Sequence, residues 1–290
     1  DQPGPRAMTL ALVLLLGAAL IAVAAPPMLR RVAAPSLPPG MVLAAWLGSL
    51  AGALFYVNMA VIILIWPDHA PAESAVEALV RWPQADGSQL TPDIFIPLAE
   101  QTGLINALTR LVIDNVFSEL GNWLHQQPDF HVSVNLAPGD LHNNDILQLL
   151  TEYGQRHQIR PQQIAIEITE RGFADPTVTG PVIKQFRAAG HPVYIDDFGT
   201  GYSSLSYLQN LDVDVLKIDK AFVDALEYNT VAPQIIDMAK QLHLEMVAEG
   251  IETVKQAEWL TSHGVQYGQG WLFSKALNAA ELRAWCDNNA

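Results

Sequence analysis

Cysteine and positive charge are both scarce in this sequence. Cys286 is the single cysteine, which excludes an internal disulfide and a thiolate metal cluster. Lysine and arginine together number 16 against 30 aspartates and glutamates, and the formal net charge is −14. This balance argues against a protein that binds nucleic acid polymers, which normally carries a basic face. Phosphate esters stay open as substrates because metal ions can bridge carboxylates to phosphates.

Histidine pairs with metal-binding spacing are also missing. The eight histidines contain neither an HxH nor an HExxH spacing. Any metal ion is therefore expected to be held mainly by oxygen atoms.

Charge is absent from a long stretch near the N-terminus. Residues 8–28 carry no charged side chain and are long enough to cross a bilayer as a helix. Arg30 and Arg31 follow directly, where the positive-inside rule places a cytoplasmic flank. We predict a membrane-anchor region over residues 1–54 with one span at about 8–28. A cleaved signal peptide is the alternative, and a first residue other than methionine suggests a piece of a longer chain.

A second apolar stretch, residues 41–66, follows a proline-rich break and has two interpretations. As another membrane span, it would leave Arg30 and Arg31 outside if the remainder is cytoplasmic, which the positive-inside rule disfavours. Alternatively, residues 55–66 contain the buried first strand of the following domain. We favour the strand.

Short apolar runs alternate with helical segments from about residue 73 onward. Each run is followed by a helix-like segment, which predicts an α/β fold with a parallel sheet. The number of runs favours a TIM-like (β/α)8 barrel over an open sheet, with residues 55–66 as the upstream candidate for an eighth strand. The seven runs are residues 76–82, 131–137, 164–170, 192–198, 215–222, 246–252 and 268–274.

Polar side chains occur in every one of these runs, although buried parallel strands are normally almost wholly apolar. A single carboxylate of this kind is most simply a solvated strand end, but its recurrence favours a site at the carboxyl ends of the strands. Clustered carboxylates repel one another and require cations, which Lys217 and hard divalent ions would supply. The adjacent aspartates Asp196 and Asp197 suit a two-metal site that hydrolyses a phosphodiester. The polar residues are Glu77, Asn135, Glu167, Glu170, Asp196, Asp197, Lys217, Asp219, Glu249, Glu252 and Gln269.

Several longer motifs carry a family resemblance. The sequence resembles the EAL domain, the cyclic di-GMP phosphodiesterase domain of bacterial signalling proteins. The motifs occur in family order over residues 77–275, and we assign residues 55–290 to the domain. They are EALVR (77–81), FIPLAEQTGLI (95–105), SVNLAPGDL (133–141), IEITE (166–170), DDFGTGYSSLSYL (196–208), LKIDKAFV (216–223), VAEGIET (247–253) and QGWLFSK (269–275).

The resemblance implies a modified TIM-like barrel of EAL type with one antiparallel strand. It implies that two Mg²⁺ or Mn²⁺ ions help to open cyclic di-GMP to linear pGpG. It also implies catalytic roles for Lys217, Glu249 and Glu77, with Lys217 orienting or activating the attacking water. Matched by motif, the metal ligands are Glu77, Asn135, Glu167, Asp196, Asp197 and Glu249.

The remaining roles also come from the resemblance. Arg81 would pair with a substrate phosphate, and Leu79 would line the guanine side of the pocket. Glu170, Glu252 and Gln269 would support the site. We further expect a homodimer, anchored in the bacterial inner membrane with the EAL domain in the cytoplasm.

Two positions depart from the family pattern. A motif like YQPIVD on the first strand is absent, and a more apolar segment stands there. Arg171 replaces a residue that is commonly small. The first departure motivates an alternative function, a catalytically inactive EAL module that binds cyclic di-GMP or a protein partner. An unrelated metal-dependent barrel of the enolase type is a more remote alternative.

Overall fold

The structure is a computed structural model that describes residues 56–64, 75–84, 88–142, 145–173, 176–199, 212–226 and 231–289. The strands in these ranges are β1 (Tyr56–Leu64), β2 (Ala75–Pro83), β3 (Gln89–Leu90), β4 (His131–Leu136), β5 (Ile164–Thr169), β6 (Val193–Phe198), β7 (Val215–Ile218), β8 (Glu245–Ala248) and β9 (Tyr267–Gln269). The α-helices are α1 (Pro92–Thr102), α2 (Ile105–Gln126), α3 (Asp145–His157), α4 (Pro176–Ala189), α5 (Lys220–Asp224), α6 (Val231–Gln241), α7 (Val254–Ser262) and α8 (Ala279–Asn289).

Residues 57–79 and 105–290 form one compact unit, and it contains a closed sheet. β2 pairs with β4, and the order continues through β5, β6, β7 and β8 to β9, all parallel. β1 pairs antiparallel with β9 and also pairs with β2, so the ends of the sheet meet. The barrel and its single antiparallel strand are as the sequence predicted.

The barrel strands are buried because most of them carry apolar side chains on both faces. All four residues of β7 are buried, and so are all but the last residue of β5. Amphipathic helices cover this sheet; α6, for example, buries Ala232, Ile235, Ile236 and Ala239 at helical spacing. Polar side chains that enter such an apolar interior must find partners there.

Residues 80–104, as far as they are described, belong to a second compact unit. Within it, the end of β2 pairs antiparallel with β3, with Trp82 opposite Leu90. The Trp82 ring meets Phe95 of α1 edge to face at a centroid distance of 5.5 Å, and both side chains are buried. Gly103 ends α1 in the left-handed conformation with φ +72°, as expected of a glycine that follows a helix.

Three predicted strands are shorter than the sequence suggested. β7 ends at Ile218 because Asp219 begins a helix: its carboxylate accepts a hydrogen bond from the backbone N–H of Ala221. β8 ends at Ala248 and β9 at Gln269, and turns or loops follow each. Apolar residues recur just past the ends of these strands, at Ala221 and Phe222, at Ile251 and at residues 271–273, and they lengthened the predictions.

The second apolar stretch is a strand where the structure describes it. Residues 56–64 form β1, so the strand interpretation is confirmed there and a helical span through them is wrong. The predicted span at residues 8–28 and the anchor region over 1–54 lie outside the described residues, and the domain boundary at residue 55 stays a prediction. Among the described helices, none is both long and apolar enough to cross a bilayer.

A cavity of about 770 Å³ opens at the amino ends of the barrel strands. Its lining includes the first residues of β4 and β8, His131 and Glu245, and the side chain of His191. Arg187 and Asp214 line it too, joined by two hydrogen bonds of 2.7 and 3.2 Å. This cavity lies at the opposite ends of the strands from the predicted metal ligands that end β6 and follow β8.

Candidate functional site

Lys217 of β7 lies at the centre of a group of carboxylates inside the barrel. Its side chain is 1% exposed, and its Nζ lies 2.6 Å from both Glu167 Oε2 and Glu249 Oε1. The same Nζ lies 3.0 Å from Asp196 Oδ1 and 3.2 Å from Glu77 Oε2. These carboxylates come from β2, β5 and β6 and from the residue that follows β8, so the barrel itself brings them together.

Two amide side chains complete the group. Asn135 of β4 donates a hydrogen bond of 2.7 Å from Nδ2 to Glu77 Oε1. Gln269 of β9 donates from Nε2 to Glu77 Oε2 at 3.2 Å and to Glu249 Oε1 at 2.9 Å. Glu77 therefore meets three hydrogen-bond donors, Asn135, Gln269 and Lys217, just before the pairing of β2 with β4 ends at Ala78.

Asp196, Asp197 and Glu249 form a potential cation site at one side of Lys217. Ligand atoms of these three residues all lie within 4.8 Å of one another. Adjacent residues of a regular strand point to opposite faces, so two consecutive aspartates would normally diverge. Here Asp197 has a φ of +54°, and the pairing of β6 with β7 shifts register between Ile195 and Phe198. This irregular backbone lets both carboxylates reach the same cation site.

Unsatisfied oxygens indicate that the group suits a divalent cation. Glu167 Oε1 and Gln269 Oε1 are buried and accept no hydrogen bond from the described residues. Asp196 Oδ1 is close to Lys217 but lacks the directional geometry of a hydrogen bond. Buried oxygens without donors are rare and costly in folded proteins. Carboxylate and amide oxygens are the ligands that Mg²⁺, Mn²⁺ and Ca²⁺ prefer, so the donor set fits such an ion.

The carboxylates do not share the available positive charge equally. Burial acts to raise the pKa of Glu77, but Lys217 and the hydrogen bonds from Asn135 and Gln269 outweigh it, so the pKa is lowered. Burial and the charge of Glu77 hold the pKa of Glu167 well above its usual range. One ammonium group cannot compensate several buried carboxylates, so protons remain on some of them until another cation arrives.

Glu249 and Asp197, two residues of the potential cation site, also have raised pKa values. Burial raises the pKa of Glu249 to about 8, against the opposing effect of Lys217. Burial and the neighbouring Asp196 raise the pKa of Asp197 to about 6. The carboxylates raise the pKa of Lys217 although its burial acts in the opposite direction, so the ammonium form persists. A divalent ion bound here would displace protons from the carboxylates.

Glu170 holds the segment that follows β6. Its Oε2 accepts a hydrogen bond of 3.1 Å from the backbone N–H of Gly199, whose φ is +95°. Both residues lie beside the cluster in sequence, since Glu170 follows β5 and Gly199 follows β6. Residues 200–208 of the DDFGTGYSSLSYL motif lie outside the described residues.

The other predicted site residues have different positions. Glu252 is outside the carboxylate group: its Oε1 accepts a hydrogen bond of 2.8 Å from Lys220 at an exposed position. Leu79 lies on β2, two residues after Glu77, and is half-buried. Arg81 belongs to the unit of residues 80–104, and its guanidinium donates a hydrogen bond to the carbonyl of Val80. The substrate-binding roles of Leu79 and Arg81 stay predictions.

Two polar residues near the site were not assigned a role from sequence. Asp140, fully buried after β4, accepts hydrogen bonds from Asn106 Nδ2, Thr109 Oγ1 and the backbone N–H of Ala137. Lys220 lies within the motif LKIDKAFV, and the sequence predicts no function for it. Its signal in the sequence was weak, because a lysine in the first turn of a helix is ordinary on a protein surface.

Comparison with known proteins gives a consistent result. The EAL domain family profile matches residues 69–276. Over 213 residues, 73% of this chain, the sequence is 60% identical to the probable cyclic di-GMP phosphodiesterase PdeB of Escherichia coli K12. The match covers 41% of PdeB, so the chain spans less than half the length of that relative.

Solved structures show the same fold. The PaMucR phosphodiesterase in complex with c-di-GMP superposes with a TM-score of 0.76 at 31% sequence identity, over 83% of this chain and 99% of that chain. The calcium and cyclic di-GMP complex of Klebsiella pneumoniae BlrP1 superposes with a TM-score of 0.66 at 26% identity, over 85% of this chain and 58% of that chain.

Proposed function

Because this chain belongs to the EAL domain family, we propose that it is a metal-dependent phosphodiesterase that hydrolyses cyclic di-GMP to linear pGpG. The observation that carries the proposal is the group around Lys217, where four carboxylates from different strands surround one buried ammonium. Buried oxygens within that group still lack hydrogen-bond donors among the described residues. The relatives named for this activity support the choice of substrate.

We assign two Mg²⁺ or Mn²⁺ ions to the site. The ligand set would be Glu77, Asn135, Glu167, Asp196, Asp197 and Glu249. When bound, such ions polarise a phosphoryl oxygen and lower the pKa of a water molecule. Asp196, Asp197 and Glu249 already converge within the span of one cation site.

Lys217 acts in the proposed reaction as a charged donor rather than as a base. Its carboxylate neighbours raise its pKa, so it keeps its proton near neutral pH. An ammonium group fixed at 2.6 Å from Glu167 and Glu249 can orient an attacking water between these carboxylates and stabilise negative charge that develops on the phosphate. Gln269 fixes Glu77 and Glu249 relative to each other through its two hydrogen bonds.

Substrate contacts are assigned to β2. Arg81 would form paired hydrogen bonds to a phosphate, for which the planar guanidinium is well suited. Leu79 would pack against a guanine. Both assignments follow the family motif EALVR and belong to the proposal.

The first experiment is a turnover assay on purified protein. Cyclic di-GMP is incubated with the protein and Mn²⁺, with and without EDTA, and the products are separated by chromatography. We expect pGpG only when the metal ion is available. Glu77→Gln should lower the rate by roughly 100-fold or more. Loss of a side chain that only hydrogen-bonds to a metal ligand already costs about 10–100-fold, and Glu77 is assigned as a ligand itself.

The matched control is Glu258→Gln, which removes an exposed carboxylate from α7 and should leave the rate unchanged. A folded, metal-loaded sample that binds cyclic di-GMP without turnover would select the inactive binding module instead. If such a sample shows no binding of cyclic di-GMP and no turnover, the substrate assignment is refuted.

We also propose that residues 8–28 anchor the chain in the bacterial inner membrane, with the EAL domain in the cytoplasm and paired as a homodimer. The uncharged stretch followed by Arg30 and Arg31 supports the anchor and its orientation. Reporter fusions after Arg31 and after Trp66 test the arrangement, and both should report the cytoplasm. Sedimentation of the purified domain measures whether it is a dimer. A monomeric mass at micromolar protein concentration would contradict the proposed homodimer.

A further inference from the structure

The short loop after β8 carries Glu249, one of the three residues of the cation site. Its inner side is bonded to the barrel: the backbone N–H of Glu249 donates to Ile218 O, and that of Ile251 donates to Gln269 O, both at 3.0 Å. Ile251 is fully buried. The loop therefore rests on the ends of β7 and β9 on this side.

The opposite side of the loop lies against the side chain of Lys220. Gly250 adopts a φ of +65°, and a Cβ placed on it would lie 2.6 Å from Lys220 Cδ. Such a distance means that the aliphatic stem of the lysine is in direct contact with the loop backbone. A glycine is required here by both the backbone conformation and the close approach.

The ammonium group of Lys220 joins this loop to α5. Nζ lies 2.8 Å from Glu252 Oε1 at the end of the loop and 3.0 Å from Asp224 Oδ1 on its own helix. Glu252 directly precedes Thr253, which begins α7 with a capping box to Gln256. A single exposed ion pair contributes little, but here one side chain contacts the loop at both its middle and its end.

We propose that Lys220 is a positioning residue that holds residues 249–252 so that the Glu249 carboxylate meets Asp196 and Asp197 at the cation site. This inference rests on the proposed function, since it concerns the same site. Without the lysine, the loop would keep its bonds to β7 and β9 and the hydrogen bond from the Glu252 backbone N–H to Gln256 Oε1, but it would lose the side-chain contacts at Gly250 and Glu252. Glu249 would then sample positions outside the cation site, and the ion would bind more weakly.

The test measures Mn²⁺ binding directly, by calorimetry on metal-stripped protein. Lys220→Met keeps most of the stem and removes the charge, and we expect its Mn²⁺ dissociation constant to rise roughly tenfold, within the range seen when a partner of a metal ligand is lost. Lys220→Arg should restore most of the affinity. Glu252→Gln should resemble Lys220→Met, and the double variant should add little because the two changes break one interaction.

The control is Lys255→Met, which removes an exposed lysine of α7 and should bind Mn²⁺ like the unaltered protein. Equal weakening in both methionine variants would reflect the general surface charge and overturn the proposal. So would an unchanged dissociation constant in Lys220→Met.

Turnover of cyclic di-GMP is measured on the same samples. Lys220→Met should need a higher Mn²⁺ concentration for half-maximal rate and should approach the unaltered kcat at saturating Mn²⁺. If no sample turns over the substrate but the pattern of Mn²⁺ affinities holds, the proposed function fails while the positioning of the loop stands. If turnover is normal and the affinities are equal, only the positioning fails.

Discussion

At the residue scale, the site is governed by an imbalance of buried charge. Lys217 is surrounded by four carboxylates, and its side chain is almost wholly buried. Breaking a buried ion pair by removing one partner is far more destabilising than replacing the whole group, because the remaining charges are left uncompensated. Lys217 therefore stabilises the metal-free protein as well as serving the proposed reaction.

Lys217→Met should lower the free energy of unfolding in EDTA by about 3–5 kcal/mol, as for other buried charges that lose their partner. Addition of Mn²⁺ should recover part of this loss, because a divalent ion can replace the missing positive charge. Urea unfolding of metal-free and Mn²⁺-loaded samples measures both effects. Lys255→Met serves as the surface control, and equal stability of Lys217→Met and that control in EDTA would contradict the prediction.

At the scale of elements, the site depends on how β6 is fixed at both of its ends. The aspartates lie near its carboxyl end, and Glu170 binds the backbone at Gly199, just after it. At its amino end, the backbone N–H of Val193 donates to Asp214, which Arg187 also holds. His191, two residues before β6, is 3% exposed, and its Nδ1 lies 2.9 Å from Ile164 O at the start of β5.

His191 gives the junction of β5 and β6 a dependence on pH. Burial lowers its pKa below the ordinary value of 6.5, although its hydrogen bonds to backbone carbonyls act in the opposite direction. The unfolded chain therefore takes up this proton before the folded protein does. The contribution to stability is fully present above about pH 6.5 and is lost as the pH falls towards the folded pKa.

The stability of His191→Gln should fall less than that of the unaltered protein between pH 7.5 and 5.5, because glutamine keeps a hydrogen-bond donor and does not titrate. Urea unfolding in EDTA at several pH values measures the two profiles. The same change at the exposed His125 should leave the profile as it is. Parallel profiles for His191→Gln and the unaltered protein would show that this histidine does not contribute.

At the scale of the whole molecule, closure of the sheet depends on β1. This strand pairs with β9 through Ile62, Ile63 and Leu64 and also pairs with β2. Its loss would leave the edges of β2 and β9 with unpaired backbone groups, an arrangement prone to aggregation. The family motif expected on the first strand is absent from the sequence, yet the strand forms and closes the barrel.

A chain of residues 55–290 should fold cooperatively, whereas one of residues 67–290, which lacks β1, should aggregate or unfold without a cooperative transition. Thermal circular dichroism and size-exclusion chromatography distinguish the two. Cooperative unfolding of residues 67–290 at the same temperature would mean that β1 is dispensable. Failure of residues 55–290 to fold would contradict the predicted domain boundary.

The sequence predicted which polar residues converge better than it predicted the ends of the elements. The polar residues in the apolar runs identified Glu77, Glu167, Asp196, Lys217 and Glu249, and the structure brings these five together. Strand ends were less predictable, because apolar residues recur beyond β7 and β8, in the helix and the loop that follow. Glu252 lies outside the carboxylate group and pairs with Lys220 instead. The sequence did not indicate this pairing, because the two residues are far apart along the chain.

The order of residues was enough to predict the barrel and the oxygen-rich residues inside it, because alternating apolar runs and recurring carboxylates are local patterns. Folding in three dimensions sets which carboxylate is paired, which oxygen lacks a donor and which lysine contacts the loop after β8. Those outcomes depend on distances between residues as far apart as Glu77 and Gln269, which the closing of the sheet sets and which no local pattern encodes.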